Sequence, residues 1–120
     1  RLRAALAETE DRLILPVPAE NSRPSWFGFL ITCKEGVDRN RVVQYVEDHG
    51  VQTRMLFAGN LTKHPCFDEM RAEKKGYRIV GELKNTDRIM TDTFWVGVYP
   101  GMTDEKIDYM AKVIKEGLEQ

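Results

Sequence analysis

Apolar side chains recur along this chain at two rhythms, and each change of rhythm marks an element. Leu2, Ala5, Leu6, Thr9 and Leu13 fall at three- and four-residue spacing, which predicts a helix. That helix should end by Leu15, since Pro16 and Pro18 cannot continue it. Residues 19–25 are a polar turn segment. Trp26 to Cys33 then reads as a strand, with Phe27, Phe29, Ile31 and Cys33 on one face and Trp26, Gly28, Leu30 and Thr32 on the other. Apolar residues on both faces predict a central strand or one covered on both sides.

The helical rhythm returns after Asp38, whose carboxylate can cap the first turn. Val42, Tyr45 and Val46 form the expected buried stripe, and Gly50 the left-handed stop. Val51 to Phe57 reads as a second strand, with Val51, Thr53, Met55 and Phe57 toward the core and Arg54 pointing away. Residues 58–66 are expected to form an ordered loop, Phe67 to Lys75 a short helix and Tyr77 to Val80 a short extended piece. Asn85-Thr86-Asp87 is expected to cap a turn of helix through Met90. Thr93 to Tyr99 is a third strand, with Phe94, Val96 and Val98 on one face. Thr103 caps a last helix whose first turn holds Asp104 and Glu105, where the helix dipole favours negative charge. Its apolar stripe is Ile107, Met110, Ala111, Ile114 and Leu118. The expected class is α+β: about three strands, antiparallel or mixed, with helices packed on one face.

Length and composition narrow the function classes. One domain of common size accounts for all 120 residues. With 42% apolar and 31% charged residues the chain has the balance of a folded domain, and a net charge of −1 gives no footprint for nucleic acid or an anionic membrane surface. No apolar run approaches the roughly 20 residues that span a bilayer. Arg1 to Asp11 is charged and helix-like rather than basic, apolar and small in series, so the cytoplasm is the expected compartment. Cys33 and Cys66 form no paired motif and are expected as reduced thiols. The chain opens at Arg1 inside a helical pattern with no capping residue, so residues 1–15 are expected to be the end of an interdomain helix, and residues 1–120 a single small domain of something longer.

Candidate chemistry is sparse. His49 lies at a helix end, where a cation suits the dipole. His64 is a loop histidine able to meet a ligand. The acidic pairs Glu47–Asp48, Asp68–Glu69 and Asp104–Glu105 read as solvated helix faces. Phe27, Phe29, Phe94 and Trp95 read first as core and second as a ligand platform. Arg54 and Arg88 are either surface ion-pair partners or holders of a planar anion such as a carboxylate or phosphate.

Three stretches together carry a resemblance: Pro24-Ser-Trp-Phe-Gly-Phe29, Thr53-Arg-Met-Leu-Phe-Ala-Gly-Asn-Leu-Thr-Lys-His-Pro65, and Asn85 through the strand Thr93–Tyr99 to Thr103. They resemble the C-terminal domain of the DegT/DnrJ/EryC1/StrS sugar aminotransferase family, and within it the CDP-4-keto-6-deoxy-D-glucose-3-dehydrase branch. Many family members run Tyr-x-Pro-Leu-His where this chain has Phe57-Ala-Gly-Asn-Leu61, which favours the dehydrase branch.

The resemblance implies the small C-terminal domain of the aspartate-aminotransferase-like (fold type I) enzymes. It implies pyridoxamine or pyridoxal phosphate in the full-length enzyme, usually a homodimer, acting in deoxysugar or lipopolysaccharide O-antigen biosynthesis. In the aminotransferases a lysine of the large domain holds the cofactor. In the dehydrase branch a histidine replaces it, the cofactor amine condenses with the C4 keto group of a CDP-linked sugar, and the C3 hydroxyl leaves. An iron–sulfur cluster on the missing part then relays electrons from a reductase partner.

No catalytic residue, metal site or cofactor is expected within these 120 residues, which are expected to be inactive alone. Phe27, Phe29, Arg54, Asn60 and Arg88 are the expected substrate- or cofactor-facing residues. A nucleotide-sugar aminotransferase and a non-catalytic α+β interaction module remain alternatives.

Overall fold

The structure is a computed structural model that describes residues 1–120. The chain forms nine α-helices and β-strands. They are α1 (Leu2–Ala5), β1 (Leu13–Ile14), β2 (Gly28–Cys33), α2 (Arg39–Asp48), β3 (Thr53–Met55), α3 (Asp68–Glu73), α4 (Lys84–Asp92), β4 (Thr93–Gly97) and α5 (Asp104–Leu118). The sheet runs in the order β1-β2-β4-β3 and every pairing is antiparallel. The α+β architecture is the expected one, with a fourth, two-residue strand added.

That extra strand replaces the end of the predicted first helix. The chain leaves α1 after Ala5, makes a 3-10 turn at Ala7–Thr9, and pairs Leu13 with Cys33 and Ile14 with Thr32. An isolated helix of this length is marginal. Pairing satisfies the outer backbone edge of β2, and it buries Leu13 and Leu15 while Ile14 points outward. Arg1 and Arg12 then clasp opposite ends of α5. Arg1 donates to Asp108 and Asp104 at 2.6–2.9 Å, and Arg12 donates to the Leu118 carbonyl at 3.0 Å.

One face of the sheet makes the core. Phe29, Ile31 and Cys33 of β2 and Phe94 and Val96 of β4 are buried against Val42, Val43 and Val46 of α2 and Met110, Ala111, Val113, Ile114 and Leu118 of α5. Leu2 and Leu6 close the same cluster from the N-terminal segment. The expected caps form: the Asp38 carboxylate accepts from the amides of Asn40 and Arg41, and the Thr103 hydroxyl accepts from Lys106. Gly50, at φ +77°, takes the left-handed step after α2.

Several expectations change. The second strand is only Thr53–Met55, and its inward face stops at Thr53, because Met55 and Phe57 are exposed at the sheet edge. The third strand ends at Gly97. Tyr77–Val80 forms no strand. Asn85-Thr86-Asp87 lies inside α4 and does not cap it; the residue before the helix, Leu83, is left-handed and gives no side-chain cap. From residue 61 to 92 no residue is buried, so α3 and α4 sit outside the core rather than within it.

The division between faces gives a stability test. Phe94→Ala, which empties a fully buried site, should cost about 3–5 kcal/mol. Phe27→Ala, at an exposed site, should cost about 1 kcal/mol or less. Urea unfolding of the two variants against the parent chain measures the difference.

Candidate functional site

The second face of the sheet is left open by the helices. Along it the register sets Leu30 opposite Trp95 and Trp95 opposite Arg54. The chain bends at Phe27, just before β2, and this breaks the alternation expected from sequence. Phe27 therefore swings onto the open face, 70% exposed, while Trp26 turns toward Phe29 and the core. Trp95 becomes the centre of an aromatic ridge. Its ring meets Phe27 edge-on at 5.6 Å and Phe57 at 6.1 Å. Gly28 permits this arrangement, because a Cβ there would lie 2.9 Å from Cε3 of Trp95. The indole Nε1 of Trp95 is buried and has no hydrogen-bond partner.

The ridge separates two clefts. The larger, about 790 Å³, is lined by Phe27, Trp95, Arg54, Tyr99, Lys106 and Tyr109 among others. The smaller, about 310 Å³, is almost wholly apolar and includes Trp26, Leu30, Leu56 and Phe57. Arg54 donates to the Thr53 carbonyl at 2.8 Å, and with the Gln52 amide assigned so that its oxygen faces the guanidinium, that oxygen accepts from both Arg54 Nη atoms at 2.9 and 3.0 Å. Neither Arg54 nor Lys106 is paired with a carboxylate. Glu105, also in the cleft, has its carboxyl held below the usual range by its own backbone amide and by the Thr103 hydroxyl.

Of the five expected site residues, the structure brings Phe27 and Arg54 together in the larger cleft. The other three are placed elsewhere. Phe29 is 4% exposed and packs in the core on the opposite face, because the bend at Phe27 puts the two phenylalanines out of phase. Asn60 is 2% exposed and its amide is already engaged: Oδ1 accepts from the amide and hydroxyl of Thr62, and Nδ2 donates to Asp87 at 2.8 Å. It is a staple between the 58–63 loop and α4 rather than a free donor. Arg88 lies on the surface of α4 within 3.9 Å of Asp92 and lines neither cleft.

The histidines are also occupied. Nδ1 of His49 donates to the Tyr45 carbonyl at 2.7 Å, and Nε2 of His64 bonds the Ala58 carbonyl. Tyr99, Tyr109 and Lys106 carried no signal in the sequence, and Trp95, expected first as core and second as a ligand platform, stands on the open face. Gly28 in a strand of large residues was the available signal, since a strand glycine often marks a close approach.

The cleft's donor set does not by itself fit a pyridoxal phosphate site. Its lysine, Lys106, is on an exposed helix turn, its one carboxylate serves its own helix end, and its arginine is turned partly onto the backbone. What the open face offers is an aromatic wall beside two cations.

The model of the DegT/DnrJ/EryC1/StrS aminotransferase family matches residues 1–115. The chain is 47% identical over 117 residues to the lipopolysaccharide biosynthesis protein RfbH of Salmonella typhimurium, covering 96% of this chain and 26% of that protein. It is 47% identical over 106 residues to the dTDP-4-dehydro-2,6-dideoxy-D-glucose 3-dehydratase of Saccharopolyspora spinosa, covering 87% of this chain and 22% of that one. Thus the chain spans about a quarter of the length of the curated relatives it matches. Among solved structures, the E. coli GDP-4-keto-6-deoxy-D-mannose-3-dehydratase with bound hydrated PLP superposes with a TM-score of 0.70 at 24% identity, over 92% of this chain and 28% of that one. This likeness shows the fold, that of the PLP-dependent aminotransferase-like enzymes.

Two measurements test the local chemistry. Burial pushes the Cys33 thiol up to about 11, whereas Cys66 is exposed. Iodoacetamide at neutral pH should therefore label Cys66 in the native chain and reach Cys33 only after unfolding, as read by mass spectrometry.

The carboxyl of Asp87 is held low by Lys63 and then Asn60, that of Asp108 by Arg1, and that of Glu105 as described. Each has a folded-state pKa below its unfolded value. Their contribution is thus present above the ordinary carboxylate range, about 4, and is lost as pH falls through the depressed values. The urea midpoint should drop on acidification, and Lys63→Ala should flatten that drop.

Proposed function

The chain belongs to the DegT/DnrJ/EryC1/StrS aminotransferase family, and on that premise we propose that it is the small C-terminal domain of a pyridoxamine- or pyridoxal-phosphate-dependent nucleotide-sugar 3-dehydratase. The reading extends to a cytoplasmic enzyme of deoxysugar or lipopolysaccharide O-antigen biosynthesis, a CDP-linked sugar substrate, a homodimer, and a reductase partner served by an iron–sulfur cluster outside these residues. The observation that supports it best is the 47% identity to a 3-dehydratase and to a lipopolysaccharide biosynthesis protein across most of the chain.

The open face of the sheet suits this role. The helix-covered face is filled by the chain's own core, so Phe27, Trp95 and Arg54 remain for whatever lies opposite. The domain covers the active centre and excludes water from it, while the cofactor chemistry is supplied by the rest of the polypeptide. Phe27 and Arg54 are the proposed substrate-facing residues. Phe29 and Asn60 act only by holding the strand and the 58–63 loop in place.

An aminotransferase is the second reading, since the family model itself is named for that activity. The full-length enzyme, incubated with a CDP-linked 4-keto-6-deoxysugar, pyridoxamine phosphate and a reducing system, should lose the C3 oxygen, seen by mass spectrometry of the sugar. Formation of a 4-amino sugar with L-glutamate as donor, and no deoxygenation, would replace this reading by the second. The 120-residue chain alone should turn over neither substrate.

A further inference from the structure

We propose that the larger cleft binds the nucleoside diphosphate end of the substrate, with the base in the corner between Phe27 and Trp95 and the phosphates at Arg54 and Lys106. This assignment rests on the nucleotide-sugar reading above and adds Trp95 and Lys106 to the site.

Three observations meet in the cleft. First, the Phe27 and Trp95 rings stand at 82° with centroids 5.6 Å apart, so they form a right-angled aromatic corner. A flat heterocycle can stack on one ring while its edge meets the other. Second, Arg54 and Lys106 line the same cleft, and no carboxylate of this chain neutralises either. Two cations in one cleft with an aromatic corner suit a ligand that joins a planar ring to a multiply charged anion. Third, the nearby carboxylate, Glu105, sits in the first turn of α5, where the helix dipole favours its charge.

Four other cavities lack this combination; the one along α2 has a single cation, Arg41, with Asp48 beside it and one aromatic ring, Tyr45. In the one beside Arg71, that guanidinium is given to Asp68 and to the carbonyls of Thr62 and His64. In the one along α1 and α5, Lys112 and Lys115 are paired with Glu116 and Glu8. The smaller cleft across the ridge has no cation.

The test uses the full-length enzyme and three probes: CDP, cytidine and inorganic pyrophosphate. Arg54 and Lys106 are exposed, as is Phe27, so their variants should fold. In calorimetric titrations the double variant Arg54→Ala/Lys106→Ala should weaken CDP and pyrophosphate about tenfold or more, leaving cytidine unchanged. Phe27→Ala should weaken CDP and cytidine about fivefold, leaving pyrophosphate unchanged. Lys112→Ala, outside the cleft, serves as the control. In turnover the effect should fall on KM rather than kcat.

Affinities for CDP within about twofold of the parent in both cleft variants would overturn the assignment. So would loss of cytidine and pyrophosphate binding together in either one, which indicates general damage to the face. A dehydratase with undiminished CDP binding in the variants would sink this inference alone. An enzyme that transaminates, yet loses CDP in the variants, would sink only the dehydratase reading.

Discussion

The structure depends on burying one face of a small antiparallel sheet and only that face. Phe29, Ile31, Phe94 and Val96 supply the sheet's half of the core, and α2, α5 and the N-terminal segment supply the other half. Burial of apolar surface is the main favourable term in folding, roughly 25 cal/mol per Å², so an element that turns a row of large side chains inward must have a cover. Here the cover is complete on one side. The strands alternate, so the residues between those of the core project the other way whatever their chemistry. The open face is thus a direct consequence of the closed one, and its content is what function can use.

That content is not ordinary solvent-facing polarity. Trp95 lies between Leu30 and Arg54 in the register, above a glycine that leaves room for its ring. Phe27 and Phe57 approach it from the two sides. Such a cluster of exposed aromatic surface is uncommon on a face turned only to solvent. Its supports are built with more care than a surface patch would need. The buried Asn60 ties Thr62 to Asp87, and Lys63 reaches the same carboxylate at 2.8 Å, so the loop that follows Phe57 is pinned to α4. A wall for a ligand works only if its side chains are already in position.

Membership of the DegT/DnrJ/EryC1/StrS family and the open aromatic face agree in sense. The relatives are about four times longer than this chain, and the face lacks the donors to hold the family's cofactor on its own. The same face carries two cations unpaired with carboxylates beside an aromatic corner.

Much of this was legible from residue order alone. The α+β class, the two capped helices with Asp38 and Thr103, and the strands containing Ile31 and Phe94 follow from hydrophobic period and cap chemistry, which are local. Family resemblance also lay in local strings such as Phe57-Ala-Gly-Asn-Leu61. What tertiary structure decided is everything that depends on which face a residue finally occupies. Leu13 and Ile14 left the helical pattern because the edge of β2 needed a partner. Phe27 and Phe29 parted because the backbone bends before Gly28, and a single break in a period of two sends every preceding side chain to the opposite face. Asn60, a plausible ligand donor in a loop, was taken by Asp87 and Thr62, which lie 27 and 2 residues away. Period and propensity act over a few neighbouring residues, whereas the assignment of Phe27, Arg54, Trp95 and Lys106 to one cleft required segments spread from residue 27 to residue 106 to meet, and only packing brings them together.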